Sequence, residues 1–67
     1  MREEDYRWLQ LNQHVFQNVK LTREELERLI HMYNRVTGQN QKMTGCARCI
    51  SNIKKRLKVE YDRYESV

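Results

Sequence analysis

Apolar residues recur at helical spacing through three stretches of this chain. In the first, Trp8, Leu11, Val15 and Val19 fall on one stripe. Leu9 and Phe16 form a second stripe, roughly 100° round the helix. The spacing predicts a first helix over residues 4–19. Its apolar arc is wider than an edge helix of a small protein needs. Either the helix lies in a groove between two others, or Leu9 and Phe16 face a second chain. Glu3, Glu4 and Asp5 suit its start, where the helix dipole favours negative charge.

The second stretch carries its own punctuation. Thr22-Arg23-Glu24-Glu25 has capping-box spacing, with Leu21 and Leu26 at the hydrophobic-staple positions. Leu26, Leu29, Ile30, Tyr33 and Val36 then repeat at helical spacing, and Gly38 stands where a glycine ends a helix. A helix over residues 22–37 follows. Glu24, Arg28, His31 and Arg35 lie opposite the apolar stripe, on a solvated or binding face. The polar run from Gly38 to Gly45 is a connection rather than a domain linker, with Met43 expected against the core and Thr44 or a neighbour expected to cap the next helix.

In the third stretch Cys46, Cys49, Ile50, Ile53, Leu57, Tyr61 and Tyr64 share one face, which predicts a helix over residues 46–64. Arg48, Asn52, Lys55 and Lys58 occupy the opposite face. The last two turns outrun the other helices unless something packs on them.

Composition narrows the picture. With 67 residues, no proline and only two glycines, the chain allows one domain, and strands would lack turn punctuation. The fold expected is all-α, a small three-helix domain (residues 1–67) with an extended, basic C-terminal helix. Its expected core is Trp8, Leu11, Val15, Leu26, Leu29, Ile30, Tyr33, Ile50, Ile53 and Leu57. Cores of this size are marginal without a metal, a disulfide or an oligomer. The charged N-terminus Met1-Arg2-Glu3-Glu4-Asp5 does not read as a signal peptide, and no apolar run is long enough to span a membrane. An intracellular or virion location is the expectation, with no membrane partner. Thiols there are more often reduced or metal-bound than paired in a disulfide frame.

Two constellations carry candidate chemistry. Cys46-Ala47-Arg48-Cys49 is a C-x-x-C at a helix N-terminus. It supports plain core packing, half of a tetrahedral zinc site, or a redox dithiol. Packing is the leading reading, with the thiols on the apolar face, and zinc is the one cofactor in question. His14 and His31 are the histidines at hand, but His31 falls on the polar face of the second helix. A second copy could instead complete a four-cysteine site. The other constellation is the donor row Arg48, Asn52, Lys55 and Lys58. Arginine and asparagine are the types that read guanine and adenine edges, and the net charge of +4 leans towards nucleic acid or acidic protein. The connection between the second and third helices exceeds the three or four residues usual in a helix-turn-helix. No catalytic triad, phosphate-cradling loop or carboxylate pair stands out, so the expectation is a non-enzyme.

The run Leu29-x3-Tyr33-Asn34-x2-Thr37-Gly38, followed by Cys46-x2-Cys49-x3-Ile53-x3-Leu57, resembles a pattern in small phage-encoded proteins, over about residues 21–60. The resemblance implies phage origin and a virion, packaging or host-takeover role. It identifies no binding residue. The leading expectation is a virion structural or assembly module that binds protein, as a homo-oligomer or on a larger partner, through Leu9, Phe16, Tyr61 and Tyr64. A DNA-binding regulator or packaging factor, and an inhibitor of a host defence protein, are the alternatives. Steep salt dependence would mark the nucleic-acid case.

Overall fold

The computed structural model describes residues 1–17 and 20–66. Three α-helices are present: α1 (Glu3–Leu11), α2 (Arg23–Thr37) and α3 (Ala47–Ser66), with a 3-10 turn at Gln13–Phe16 between the first two. There is no strand among the described residues, and the all-α expectation holds. No helix among them is long and apolar enough to cross a membrane.

The first helix does not run to residue 19. It stops at Leu11, because the side chains that follow compete for its last carbonyls. Asn12 Nδ2 donates to the Trp8 carbonyl at 2.7 Å, and Gln13 Nε2 donates to the Leu9 carbonyl at 3.1 Å. The Asn12 N–H turns to Leu9 O instead of Trp8 O, at 3.2 Å. A tighter turn follows, closed by Val15 N–H to Asn12 O at 3.0 Å. The break swings Val15 inward and leaves Leu11, expected in the core, 85 % exposed. Val19, the last position of the expected helix, lies outside the described residues.

Helix α2 forms as its punctuation predicts. Thr22 Oγ1 accepts the Glu25 N–H at 3.1 Å, and the Thr22 N–H donates to Glu25 Oε1 at 2.9 Å. At the other end Gly38 takes φ +72°, which only glycine adopts without strain, and its N–H closes on Asn34 O at 2.9 Å. The Asn34 amide then grips the connection, donating to Gln41 O at 3.0 Å and accepting from the Gln41 N–H at 2.8 Å. Met43 does not reach the core and stays 45 % exposed.

Helix α3 touches every other element, α2 most extensively. The buried core is Leu9, Val15, Leu29, Ile30, Met32, Ile53, Leu57 and Tyr61. Trp8, Leu26, Tyr33 and Ile50 are only half-buried. The last turns of α3 are covered by α1, where the Tyr6 ring lies 4.9 Å from Tyr61 and 4.5 Å from Tyr64, centroid to centroid. One carboxylate is buried with the core. Arg35 Nη2 donates to both oxygens of Asp5, at 2.6 and 2.7 Å, and Arg28 Nη2 stands 3.9 Å away.

Candidate functional site

The opening of α3 is built by short polar side chains and sulfur. Thr44 Oγ1 accepts the Cys46 N–H at 3.1 Å, and Cys46 O accepts the Ile50 N–H at 3.0 Å. Cys46 itself stands at the N-cap, where its Sγ accepts the Cys49 N–H at 3.3 Å. A thiol thus fills the place that a serine or aspartate oxygen usually takes. Hydrogen bonds from the Cys49 thiol and then from the Cys49 N–H pull the Cys46 thiol below its ordinary pKa. Cys49 moves the other way, through its hydrogen bond to Cys46 and through burial.

This corrects the packed-core reading of the pair. Cys46 is exposed and Cys49 is half-buried. Capping places the first sulfur outside the helix, over the free N–H groups, and away from the apolar face that the wheel assigned to it. Neither histidine joins the pair: His14 Nε2 bonds to Glu25 Oε2, and His31 is exposed on α2. Among the described residues no group of three or more His, Cys, Asp or Glu side chains is positioned to hold a metal ion. Within one chain Cys46 and Cys49 therefore supply at most half of a zinc site.

Beyond the cysteines, residues 46–58 hold five cations, Arg48, Lys54, Lys55, Arg56 and Lys58, and no acid. Their situations differ. Arg56 pairs with Glu60 at 3.3 Å. Lys58 pairs with Asp62 at 3.3 Å and lies over the Phe16 and Tyr61 rings, 5.3 and 5.2 Å from their centroids. Lys54 Nζ donates to Gln17 O at 2.8 Å. The side chains of Arg48, Asn52 and Lys55 are exposed and make neither a hydrogen bond nor a carboxylate ion pair among the described residues. They form one stripe on the solvent side, and Arg48 sits in the first turn, where the helix dipole adds positive potential. Lys20 is exposed too, and it shares with Lys54 the rim of a cleft floored by Phe16, Leu21, Leu26 and Ile50. The sequence-predicted row is thus brought together, except that Lys58 is engaged elsewhere.

The expected protein-binding surface is not presented. Leu9 and Tyr61 are buried in the chain's own core. Phe16 is half-buried with its ring 5.6 Å from Tyr61, and Tyr64 is half-buried against Tyr6. Leu9 lies on the core-facing side of α1, and Tyr61 and Tyr64 are covered by the Tyr6 and Phe16 rings. Sequence reasoning also missed the Asp5 cluster. The signal was there: Asp5 sits one turn before Trp8 and Leu9, and Arg28 and Arg35 are seven apart on one stripe of α2. Compared with family models, with curated proteins and with solved structures, the chain matches none.

Proposed function

We propose that this chain is a non-catalytic DNA-binding module that lays the first half of α3 against the duplex. The observation that carries this reading is the contrast among its cations. Arg7, Arg35, Arg56, Lys58 and Arg63 each have a carboxylate within the chain. Among the described residues Arg48 and Lys55 have none; they share this with Arg2, Arg23 and Lys42, but they alone of these stand in one stripe, with Asn52, in a stretch (residues 46–58) that holds no acid. Recognition helices use their N-terminal residues in the same way, with basic groups on phosphates and amides on base edges. The resemblance to small phage-encoded proteins fits a packaging factor or a regulator. The long connection before α3 argues for a helix that docks on its own terms rather than for a helix-turn-helix pair.

The test is anisotropy titration of a labelled duplex with single variants. Lys55→Gln should weaken binding about three- to tenfold, the effect of losing one phosphate contact at moderate salt. Lys58→Gln should weaken it less, because that ammonium already serves Asp62 and two rings. Equal losses at both positions, or none at either, would remove the row from the function. Protein assembly is a second reading, favoured by Leu11, which is 85 % exposed. It predicts a native mass above the monomer that Leu11→Gln returns to the monomer.

A further inference from the structure

Two thiols in the first turn of a helix, one exposed and one half-buried, are set up for chemistry on each other. With Cys46 exposed at the cap and no further metal ligand grouped with the pair among the described residues, we propose that Cys46 and Cys49 form a thiol–disulfide exchange site that takes small-molecule disulfides, with Cys46 as the attacking thiol. This site adjoins the basic row, since Arg48 lies between the two cysteines, but its chemistry does not rest on nucleic-acid binding by that row.

Three features of the fold support it. The Cys46 sulfur accepts the Cys49 N–H at 3.3 Å, so negative charge on it is met by the free donors of the helix start. Cys46 is exposed to an incoming disulfide, whereas Cys49 is half-buried behind it. The same 3.3 Å contact holds the Cys46 sulfur against the backbone of Cys49, close enough for a disulfide to close between them. The lowered pKa of Cys46 and the raised pKa of Cys49 agree with this division of roles.

The exchange balances without a metal or a second enzyme. The Cys46 thiolate, its proton already lost to water, attacks one sulfur of RS–SR. A Cys46–S–S–R bond forms, the RS–SR bond breaks, and RS⁻ leaves with the electron pair. The Cys49 thiol then gives up its proton to the leaving thiolate and attacks the Cys46 sulfur. The Cys46–Cys49 disulfide forms and a second RS⁻ leaves. The protein dithiol is oxidised by two electrons and RS–SR is reduced to two thiols.

The probe is glutathione disulfide, and the readout is intact mass of the full chain. The wild-type protein should lose two hydrogens and carry no adduct. Cys49→Ser should stop at a single glutathione adduct on Cys46. Cys46→Ser should take up at least tenfold less adduct, and it should fold normally, because serine is a favoured N-cap residue. Iodoacetamide labelling at neutral pH should mark Cys46 several-fold faster than Cys49, which reads the same assignment without a disulfide. The proposal is overturned if wild type remains an open mixed disulfide, if Cys49→Ser forms no adduct, if oxidation gives only chains linked in pairs, or if both thiols label at one rate. Purified protein carrying stoichiometric zinc that both cysteines are needed to retain would overturn it as well.

Discussion

Asp5 keeps only 2 % of its surface exposed, although it is a carboxylate. Its burial is tolerated because Arg35 meets both of its oxygens and Arg28 stands nearby, with the Arg28 guanidinium 5.5 Å over the Trp8 ring. Such a cluster does little for net stability against an apolar substitute, but it fixes how α1 sits on α2. Removing Arg35 strands a buried carboxylate, whereas removing Asp5 leaves Arg35 and Arg28, 40 % and 42 % exposed, able to turn to water. Asp5→Ala should therefore cost about 1–2 kcal/mol in a urea titration, the worth of hydrogen bonds to a charged group, and Arg35→Lys should cost a good part of that, since one ammonium cannot reproduce the two-oxygen contact. A titration unchanged by Asp5→Ala would mean that the cluster is ornamental. Glu25 supplies a second residue-scale expectation. The Thr22 N–H, and then His14, hold its carboxyl below the usual glutamate value. Its folded value is therefore lower than its unfolded one. The stability it lends is present above the ordinary value of about 4.3 and is lost as pH falls through the folded value. Melting temperature should drop on acidification below about pH 4, and Glu25→Gln should flatten that part of the profile. Parallel profiles for the two proteins would contradict the assignment.

Helix α2 was legible in the sequence because everything that defines it is local: a cap, a box, a staple and a terminal glycine. Thr22→Ala removes the acceptor of the Glu25 N–H and should cost about 1 kcal/mol; a thermal melt identical to the parent's would argue against the cap. Helix α1 was misread because periodicity cannot register competition for carbonyls. Asn12 and Gln13 end it with side-chain amides, and neither breaks the apolar repeat. The trace that they left was the excess apolar arc. Leu9 and Phe16 are surplus on an unbroken helix; in the structure Leu9 faces the core from within α1, and Phe16, past the turn at Asn12, packs half-buried against Tyr61. Met32 went unnoticed for a related reason. It sits three residues after Leu29 and four before Val36, beside the apolar stripe, and it is fully buried. At the start of α3 the two faces were read correctly, but the wheel put Cys46 on the apolar one. A residue at the N-cap is not yet in helical register, so its side chain obeys the free N–H groups rather than the stripe.

At the scale of the whole molecule the fold class was readable from length, glycine and proline content, and three periodic segments. The candidate site was readable in composition and not in selection. Four polar side chains were marked on the outer face of α3, and only packing distinguishes Lys58, which covers Phe16 and Tyr61, from Arg48 and Lys55, whose charged groups meet no ring or carboxylate among the described residues. Charge is also unevenly distributed along α3. Its first half is purely basic, whereas Glu60, Asp62 and Glu65 fall in the second half and neutralise it. A duplex approaching the module should therefore be steered to one end of that helix. Phosphate contacts release counterions, and the logarithm of the association constant then falls linearly with the logarithm of salt concentration, by about 0.9 per contact. The most direct measurement is that slope, taken with a labelled duplex from low to physiological salt, for the parent chain and for Arg48→Gln with Lys55→Gln. The parent should give a slope of about −2 or steeper, and the double variant should lose about two contacts' worth of it. A flat slope for the parent, or the same slope for both proteins, would contradict the central claim that this row of α3 meets nucleic acid.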